Sequence, residues 1–340
     1  MRKLKWNMFV FFGMMFVLIL ATHEALPAAT PAKTVTLKVA CHMAPGTQMS
    51  AVMEWWCKEI EKRTNGTVKT TYYPLDSLGK FQDYTDMLQG GVSDVSTLPG
   101  FKFTTLQAFE LPFVGPGHAL SIDSAYTLYY RGLLADLKDY KVLWLQSSGP
   151  SYFYFRNKKP NSRDEFKGLK IRGLPGVWVE IPKSLGATGV AIPSLEVYQA
   201  LERGVVDGAV AALGFYTEGK LNEVAKIYAD KRINGGILPV AMSINRWKSL
   251  PPDVQLVVEQ LNAEARYQFS RGPWFRSQEQ DHTFMKSLGC ERYQISSQEE
   301  ARWHKDVEPL VQDWIAKTEA KGLRGQEIID VIRSVGKLYE

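Results

Sequence analysis

Cysteine is nearly absent: the 340 residues hold only Cys41, Cys57 and Cys290, and no two are spaced as CxxC or as metal ligands. An odd count permits at most one disulfide, even in an oxidising compartment. None is expected, with Cys41 on a strand and Cys57 on a helix serving as small buried apolar groups. Histidine is scarce as well. His23, His42, His118, His282 and His304 form no HExxH and no paired metal spacing, so no metal is expected. There is no GxSxG, no Walker A and no GxGxxG after a strand, which excludes the nucleophile elbow, the P-loop and the dinucleotide fingerprint. The chain is therefore not expected to be an enzyme or to carry a cofactor. Acid–base work by carboxylates gathered across the fold is the remaining enzymatic alternative. Basic blocks and basic-aromatic stripes are missing too. A formal net charge of +5, spread over alternating lysines and glutamates, gives no reason to expect nucleic acid. Repeats and low-complexity linkers are lacking, which argues against a solenoid or beads on a string.

What the sequence does have is a marked N-terminus. Arg2, Lys3 and Lys5 precede an apolar stretch from Met8 to Ala21, followed by the small residues of Ala25-Leu-Pro-Ala-Ala29. This is the layout of a secretory signal peptide over residues 1–29, with an apolar region short for a membrane span. An uncleaved anchor is the alternative. A lipoprotein fits less well, because Lys38 stands where a lipobox before Cys41 wants an aliphatic residue. Removing residues 1–29 takes away Arg2, Lys3, Lys5 and Glu24 and leaves +3.

The remaining length suits two α/β domains. Leu37–His42 reads as a strand, Met49, Val52, Trp56 and Ile60 as a helix, Val68–Tyr73 as a strand, Phe81–Leu88 as a helix and Val92–Leu98 as a strand. Strands alternating with helices imply a mostly parallel sheet. A second half shows strand patterns at Val142–Gln146, Tyr152–Arg156, Leu169–Arg172, Val190–Ile192 and Val205–Ala211. Helical patterns at Val177–Leu185 and Ser194–Arg203 lie between them, with Ser194 as an N-cap and Gly204 as the C′ residue. A long helical pattern runs from Val254 to Leu288, and Gly272-Pro273 should kink or break it. Ser297 and Glu300 are spaced as a capping box ahead of an apolar stripe of Val307, Leu310, Val311, Trp314 and Ile315. Asn65-Gly-Thr67 matches a glycosylation sequon, although a helix-ending turn accounts for it as well.

Two arginines end strands. Arg172 closes Leu169-Lys-Ile-Arg172 just before the turn Gly173-Leu-Pro-Gly176, and Arg156 closes Tyr152-Phe-Tyr-Phe-Arg156. In open α/β sheets the ligand crevice lies outside the carboxyl ends of the strands. A guanidinium there offers a planar fork matched to a carboxylate. On spacing alone, a surface or interlobe ion pair is the simpler account of either arginine. Phe101, Tyr152, Tyr154, Trp178, Phe215 and Tyr216 are candidate walls of an aromatic pocket, each taken singly more often core than contact. His42 could hydrogen-bond a ligand or serve as a satisfied structural histidine.

Motifs in a fixed order add to this. They are Arg63-Thr-Asn-Gly66, Tyr73-Pro-Leu-Asp-Ser-Leu-Gly79, Leu88-Gln-Gly-Gly-Val-Ser-Asp94, Leu111-Pro-Phe113, Phe166-Lys-Gly-Leu-Lys-Ile-Arg172, Ser184-Leu-Gly-Ala187 and Glu196-Val-Tyr-Gln-Ala-Leu-Glu-Arg-Gly-Val-Val-Asp-Gly208. In these the chain resembles the periplasmic solute-binding proteins of tripartite ATP-independent (TRAP) transporters, the DctP-like group. The resemblance implies a two-lobed α/β fold of mostly parallel sheets with a long helix linking the lobes. Residues 30–150 would form lobe 1, with later segments returning to it, 151–245 lobe 2, and 246–340 the linking and C-terminal helices. It further implies a periplasmic monomer that hands a small organic acid to TRAP permease subunits. Arg172 would grip the ligand carboxylate and Arg156 would assist. Where many members carry an asparagine, this chain has Ala209-Val-Ala-Ala-Leu-Gly-Phe-Tyr216, which points to a less polar pocket for an aromatic or branched monocarboxylate or keto acid. A receptor feeding a signalling protein would share the fold and pocket.

Overall fold

Ten strands organise the chain in the computed structural model, which describes residues 34–115, 117–271 and 277–338. They are β1 Val35–Ala40, β2 Val68–Tyr73, β3 Val95–Thr97, β4 Tyr140–Phe155, β5 Lys170–Gly173, β6 Thr188–Ala191, β7 Gly208–Ala212, β8 Ile227–Ala229, β9 Gly235–Ser243 and β10 Glu291–Tyr293. Their order is β2-β1-β3-β9-β4-β7-β5-β6, with β8 added beside β4 and β10 beside β8. One sheet region holds β1, β2, β3 and β9, and the other holds β5, β6, β7, β8 and β10. The sixteen-residue β4 runs through both. Residues from Thr36 onward accordingly form one compact unit, a two-lobed α/β fold whose lobes share a strand.

The expected parallel pairing holds at β1–β3, β5–β6, β5–β7 and β8–β10. It does not hold where the regions join. There β4 pairs antiparallel with β7, β8 and β9, and β9 pairs antiparallel with β3. Central β9 was not foreseen, because Gly235-Gly236 and Pro239 punctuate it as a loop would. It lies within the stretch 151–245 but pairs with β3 of the first region. The two strands read at 142–146 and 152–156 are one. Gly149, at φ +81, and Pro150 sit at a register shift, where a positive φ and a missing N–H are tolerated without ending the strand.

Helices cover the sheets. Helix Gln48–Arg63 ends at Thr64 and the left-handed Asn65 and Gly66, so the sequon occupies a helix-terminating turn. The long pattern is two helices, Pro252–Arg271 and Gln278–Ser287, and the Gly272-Pro273 break itself lies outside the described residues, as does the 1–29 segment. The first of these packs on Gln48–Arg63 and β4, the second on β10, so the pair bridges the two regions. Ser296, not Ser297, caps helix Ser297–Glu319, its hydroxyl accepting from the Glu299 N–H at 3.2 Å. Ser194 opens a 3₁₀ turn rather than capping, while Gly204 (φ +75) follows the helix as expected. Cys41 lies just past β1, and all three cysteines are buried and free. Burial pushes the Cys57 thiol up to about 12.

Candidate ligand-binding site

Strand register assembles the centre of the site. Tyr228, Tyr154, Ala209, Arg172 and Val190 stand in one row across β8, β4, β7, β5 and β6, on the face that also carries Tyr152 and Ala211. Phe153, Phe155, Ile171 and Val210 occupy the opposite face, packed under Trp303. Alternation along Lys170-Ile-Arg-Gly173 therefore turns a cation inward among apolar groups.

Arg172 is 1% exposed. Its Nε donates to the Ile192 carbonyl at 3.0 Å, and its guanidinium lies 5.4 Å from the Phe215 ring centre. Nη2 is buried with no hydrogen-bond partner, and no carboxylate pairs with the group among the described residues. Burial alone pulls it down to about 10. A buried cation without an anion costs several kcal/mol, so the fold retains it at the expense of stability. Phe215 reaches this position from helix Leu213–Glu218, which starts as soon as β7 ends. Ala209 and Ala211 place small, fully buried apolar side chains on the same face.

The neighbouring aromatics are locked. Tyr154 stacks on Tyr216 with ring centres 3.6 Å apart. The Tyr216 hydroxyl donates to the Ala225 carbonyl at 2.7 Å. The Tyr152 hydroxyl donates to Asp281 Oδ2 at 3.0 Å and accepts from Arg232 Nε at 3.2 Å, while Arg232 Nη2 holds the same carboxylate at 2.6 Å. Trp178 does not join them: its side chain packs in the opposite-face cluster with Phe153, Ile171 and Trp303, and only its backbone approaches Gly173, where a Cβ would stand 2.3 Å from the Trp178 carbonyl oxygen. Its indole N–H donates to Glu110 Oε2 at 3.2 Å. A lone buried arginine among aromatics, at the carboxyl end of a parallel strand, is suited to a small organic anion.

Residues 40–318 match the bacterial extracellular solute-binding proteins of family 7 (DctP). The chain belongs to this family. It is similar to the C4-dicarboxylate-binding periplasmic protein DctP of Rhodobacter capsulatus, with 27% identity over 86% of this chain and 91% of that one. A monocarboxylate 2-oxoacid-binding periplasmic protein of Nostoc sp. is also 27% identical, over 61% of this chain and 60% of that one. Among solved structures, it is similar to a TRAP solute-binding protein from a marine metagenome (unidentified microbe), specific for aromatic acid ligands and in complex with 3-hydroxybenzoate. That match has a TM-score of 0.80 and 25% identity, and covers 90% of this chain and 99% of that one.

Not every candidate gathers at Arg172 in this solute-binding protein. Arg156 lies level with Asp207 and Lys170, at the opposite end of β5, and its Nη2 donates to the Glu202 carbonyl at 3.2 Å. The strand alternation read correctly puts it on the same face but two positions away. His42 and Phe101 belong to the other sheet region, past the carboxyl ends of β1 and β3, where Phe81 joins them. His42 stacks on Phe81 at 3.9 Å, its Nδ1 is buried and unpartnered, and burial pulls its ring down to about 4. Glu110, Phe81, Arg232 and Asp281 were not foreseen. Glu110 directly precedes the Leu111-Pro-Phe113 motif, which was a usable signal; Arg232 and Asp281 lie in no motif.

Proposed function

We propose that this protein is an extracytoplasmic receptor that captures a small organic monocarboxylate, aromatic acids foremost, and delivers it to a TRAP-type permease. The observation that carries the reading is the buried, uncompensated guanidinium of Arg172 under the Phe215 ring. The ligand carboxylate takes the bond that Nη2 lacks, and the ring of an aromatic acid packs against Phe215 over Ala209 and Ala211. The small apolar side chains of Ala209 and Ala211 and the aromatic acid held by the structural relative both support this class. Tyr152, Tyr154 and Tyr216 shape the wall, His42 and Phe101 meet the ligand from the other lobe, and Trp178 supports the sheet from its opposite face. Arg156 stays outside the contact set. Lobe 1 is built on residues 30–150 with β9 returning to it, lobe 2 on the rest of 151–245, and 246–340 tie the two together.

Capture works through closure: a ligand that binds the closed arrangement better shifts the protein toward it. The chain carries no nucleotide motif, so the driving force lies with the permease. Export through residues 1–29 as a cleaved signal peptide and a purely non-catalytic role belong to the same reading. A thermal-shift panel on refolded mature protein tests it, using benzoate, hydroxybenzoates, 2-oxoacids and their amides. A ligand at a hundred times its Kd adds about 2.7 kcal/mol of stability. Shifts confined to acids and absent in Arg172→Ala are expected. Equal shifts with acids and amides would sink the reading.

A further inference from the structure

The carboxyl ends of the parallel strands in both sheet regions point at one stretch of chain. Strand β3 runs antiparallel along β9 toward its glycine end, with Thr97 opposite Val240 and the Leu98 N–H donating to the Pro239 carbonyl at 2.6 Å. Gly100 then lies so close to β9 that a Cβ on it would stand 2.1 Å from the Ile237 oxygen. From the other side, β7 runs back along β4 until Ala212 stands opposite Ser151, with β5 parallel to it. A Cβ on Gly214 would stand 3.8 Å from the Ser148 oxygen. Ser147 and Ile237 are themselves partners in the β4–β9 ladder. The turn Gly100–Lys102, which carries Phe101, and the helix Leu213–Glu218, which carries Phe215, therefore flank the same crossing point of the two shared strands.

These two banks carry unlike chemistry. On the Phe215 bank stands the Arg172 guanidinium. The Phe101 bank is an aromatic shelf, with Phe101 edge-on to Phe81 at 6.2 Å and His42 stacked on Phe81 at 3.9 Å. Phe101 is 43% exposed there. Lys102, the cation of that turn, is engaged by Thr85 and Asp86. Within the shelf stands the half-buried imidazole of His42, whose Nδ1 is enclosed without a hydrogen-bond partner. Burial keeps that ring neutral down to about 4. A neutral imidazole offers one donating and one accepting nitrogen and no charge. A hydroxyl can meet either nitrogen, whereas a second carboxylate brought against the ring would be desolvated without a counter-ion.

We propose that His42 is a specificity-determining residue that receives a hydroxyl at the far end of the ligand, so that the preferred cargo is a hydroxy-substituted aromatic monocarboxylate. The proposal rests on the carboxylate-binding reading above. Arg172 takes the carboxylate from one bank and His42 the hydroxyl from the other, with the ring between Phe215 and Phe101. Bonds made from both banks at once exist only in the closed arrangement, so the hydroxyl favours closure as well as binding.

The test is calorimetric titration of wild type, His42→Phe and Arg172→Met with benzoate, 3-methylbenzoate, 3-hydroxybenzoate, 4-hydroxybenzoate and isophthalate. The wild type should bind the better hydroxybenzoate at least about tenfold more tightly than benzoate, 3-methylbenzoate or isophthalate. His42→Phe keeps a ring on Phe81 and loses both nitrogens. It should hold benzoate within about threefold of wild type and bring the hydroxybenzoates to within about threefold of benzoate. Nitrogen NMR of the wild-type imidazoles reads the same contact without a variant: the His42 ring should respond to the hydroxybenzoate and not to 3-methylbenzoate. A hydroxyl preference that is absent from the wild type or undiminished in His42→Phe overturns the proposal, as does an equal response of the His42 ring to both ligands. Each of these leaves the receptor reading standing while acid binding still depends on Arg172. Acids bound no better by wild type than by Arg172→Met overturn the underlying reading as well.

Discussion

Arg172 is buried and Arg232 half-buried in the second sheet region, and they differ above all in their counter-charge. Arg232 lies against Asp281 at 2.6 Å and against the Tyr152 hydroxyl. Burial pulls its guanidinium down, but the nearby Tyr152 and Asp281 outweigh this and hold it above the usual arginine range. Arg172 has burial without a counter-charge and is pulled to about 10. The first arginine is a closed structural unit. The second is incomplete until an anion arrives, and the comparison separates a residue that holds the fold from one that the fold holds ready.

The largest expected effect breaks the functional member. Arg172→Met should cost at least about a hundredfold in carboxylate affinity. Its ligand-free melting temperature should stay level or rise, because replacing an uncompensated buried charge by an apolar group of similar length is often neutral or stabilising. Titration and a melting curve on one preparation check both halves. Asp281→Asn should do the reverse: a loss of about 3–5 kcal/mol in stability from stranding Arg232, read by denaturant unfolding, with carboxylate affinity retained at low temperature. Tyr152→Phe removes one shared hydroxyl from that pair and should cost about 1 kcal/mol in the same assay.

Proton linkage sharpens the contrast at Glu110. Its folded-state carboxyl is raised, so the folded chain holds the proton more tightly than the unfolded chain. Its contribution to stability is therefore complete below the ordinary glutamate value and lost as pH rises through about 7. Melting temperatures from pH 5 to 8 should fall less steeply in Glu110→Gln than in the wild type; parallel curves would remove Glu110 from the account. The smallest effect belongs to Arg156→Ala, which should leave ligand affinity within about twofold.

What the sequence made legible follows from local chemistry. Alternation in Lys170-Ile-Arg-Gly173 put Arg172 on a definite face, and Gly204 marked a helix end by its backbone freedom. The apolar run Ala209–Ala212 marked a strand of small side chains, which pairs with β5 beside Arg172. What stayed hidden depends on partners distant in sequence. Nothing local says that Tyr152 meets Asp281, 129 residues on, or that Trp178 meets Glu110, 68 residues back. Period-two patterning gave Arg156 its face but not its level, which only the pairing with Asp207 fixes. Gly149-Pro150 and Gly235-Gly236 read as interruptions because glycine and proline usually end strands, whereas here the two strands run on through them, with a register shift between Ser147 and Pro150.

The most direct measurement is the affinity of 3-hydroxybenzoate relative to its amide, by titration calorimetry in wild type and Arg172→Met. An incomplete buried cation predicts a preference for the acid of at least about a hundredfold in the wild type and near-equality in the variant. An undiminished preference for the acid in Arg172→Met would show that another group receives the carboxylate, and would contradict the account.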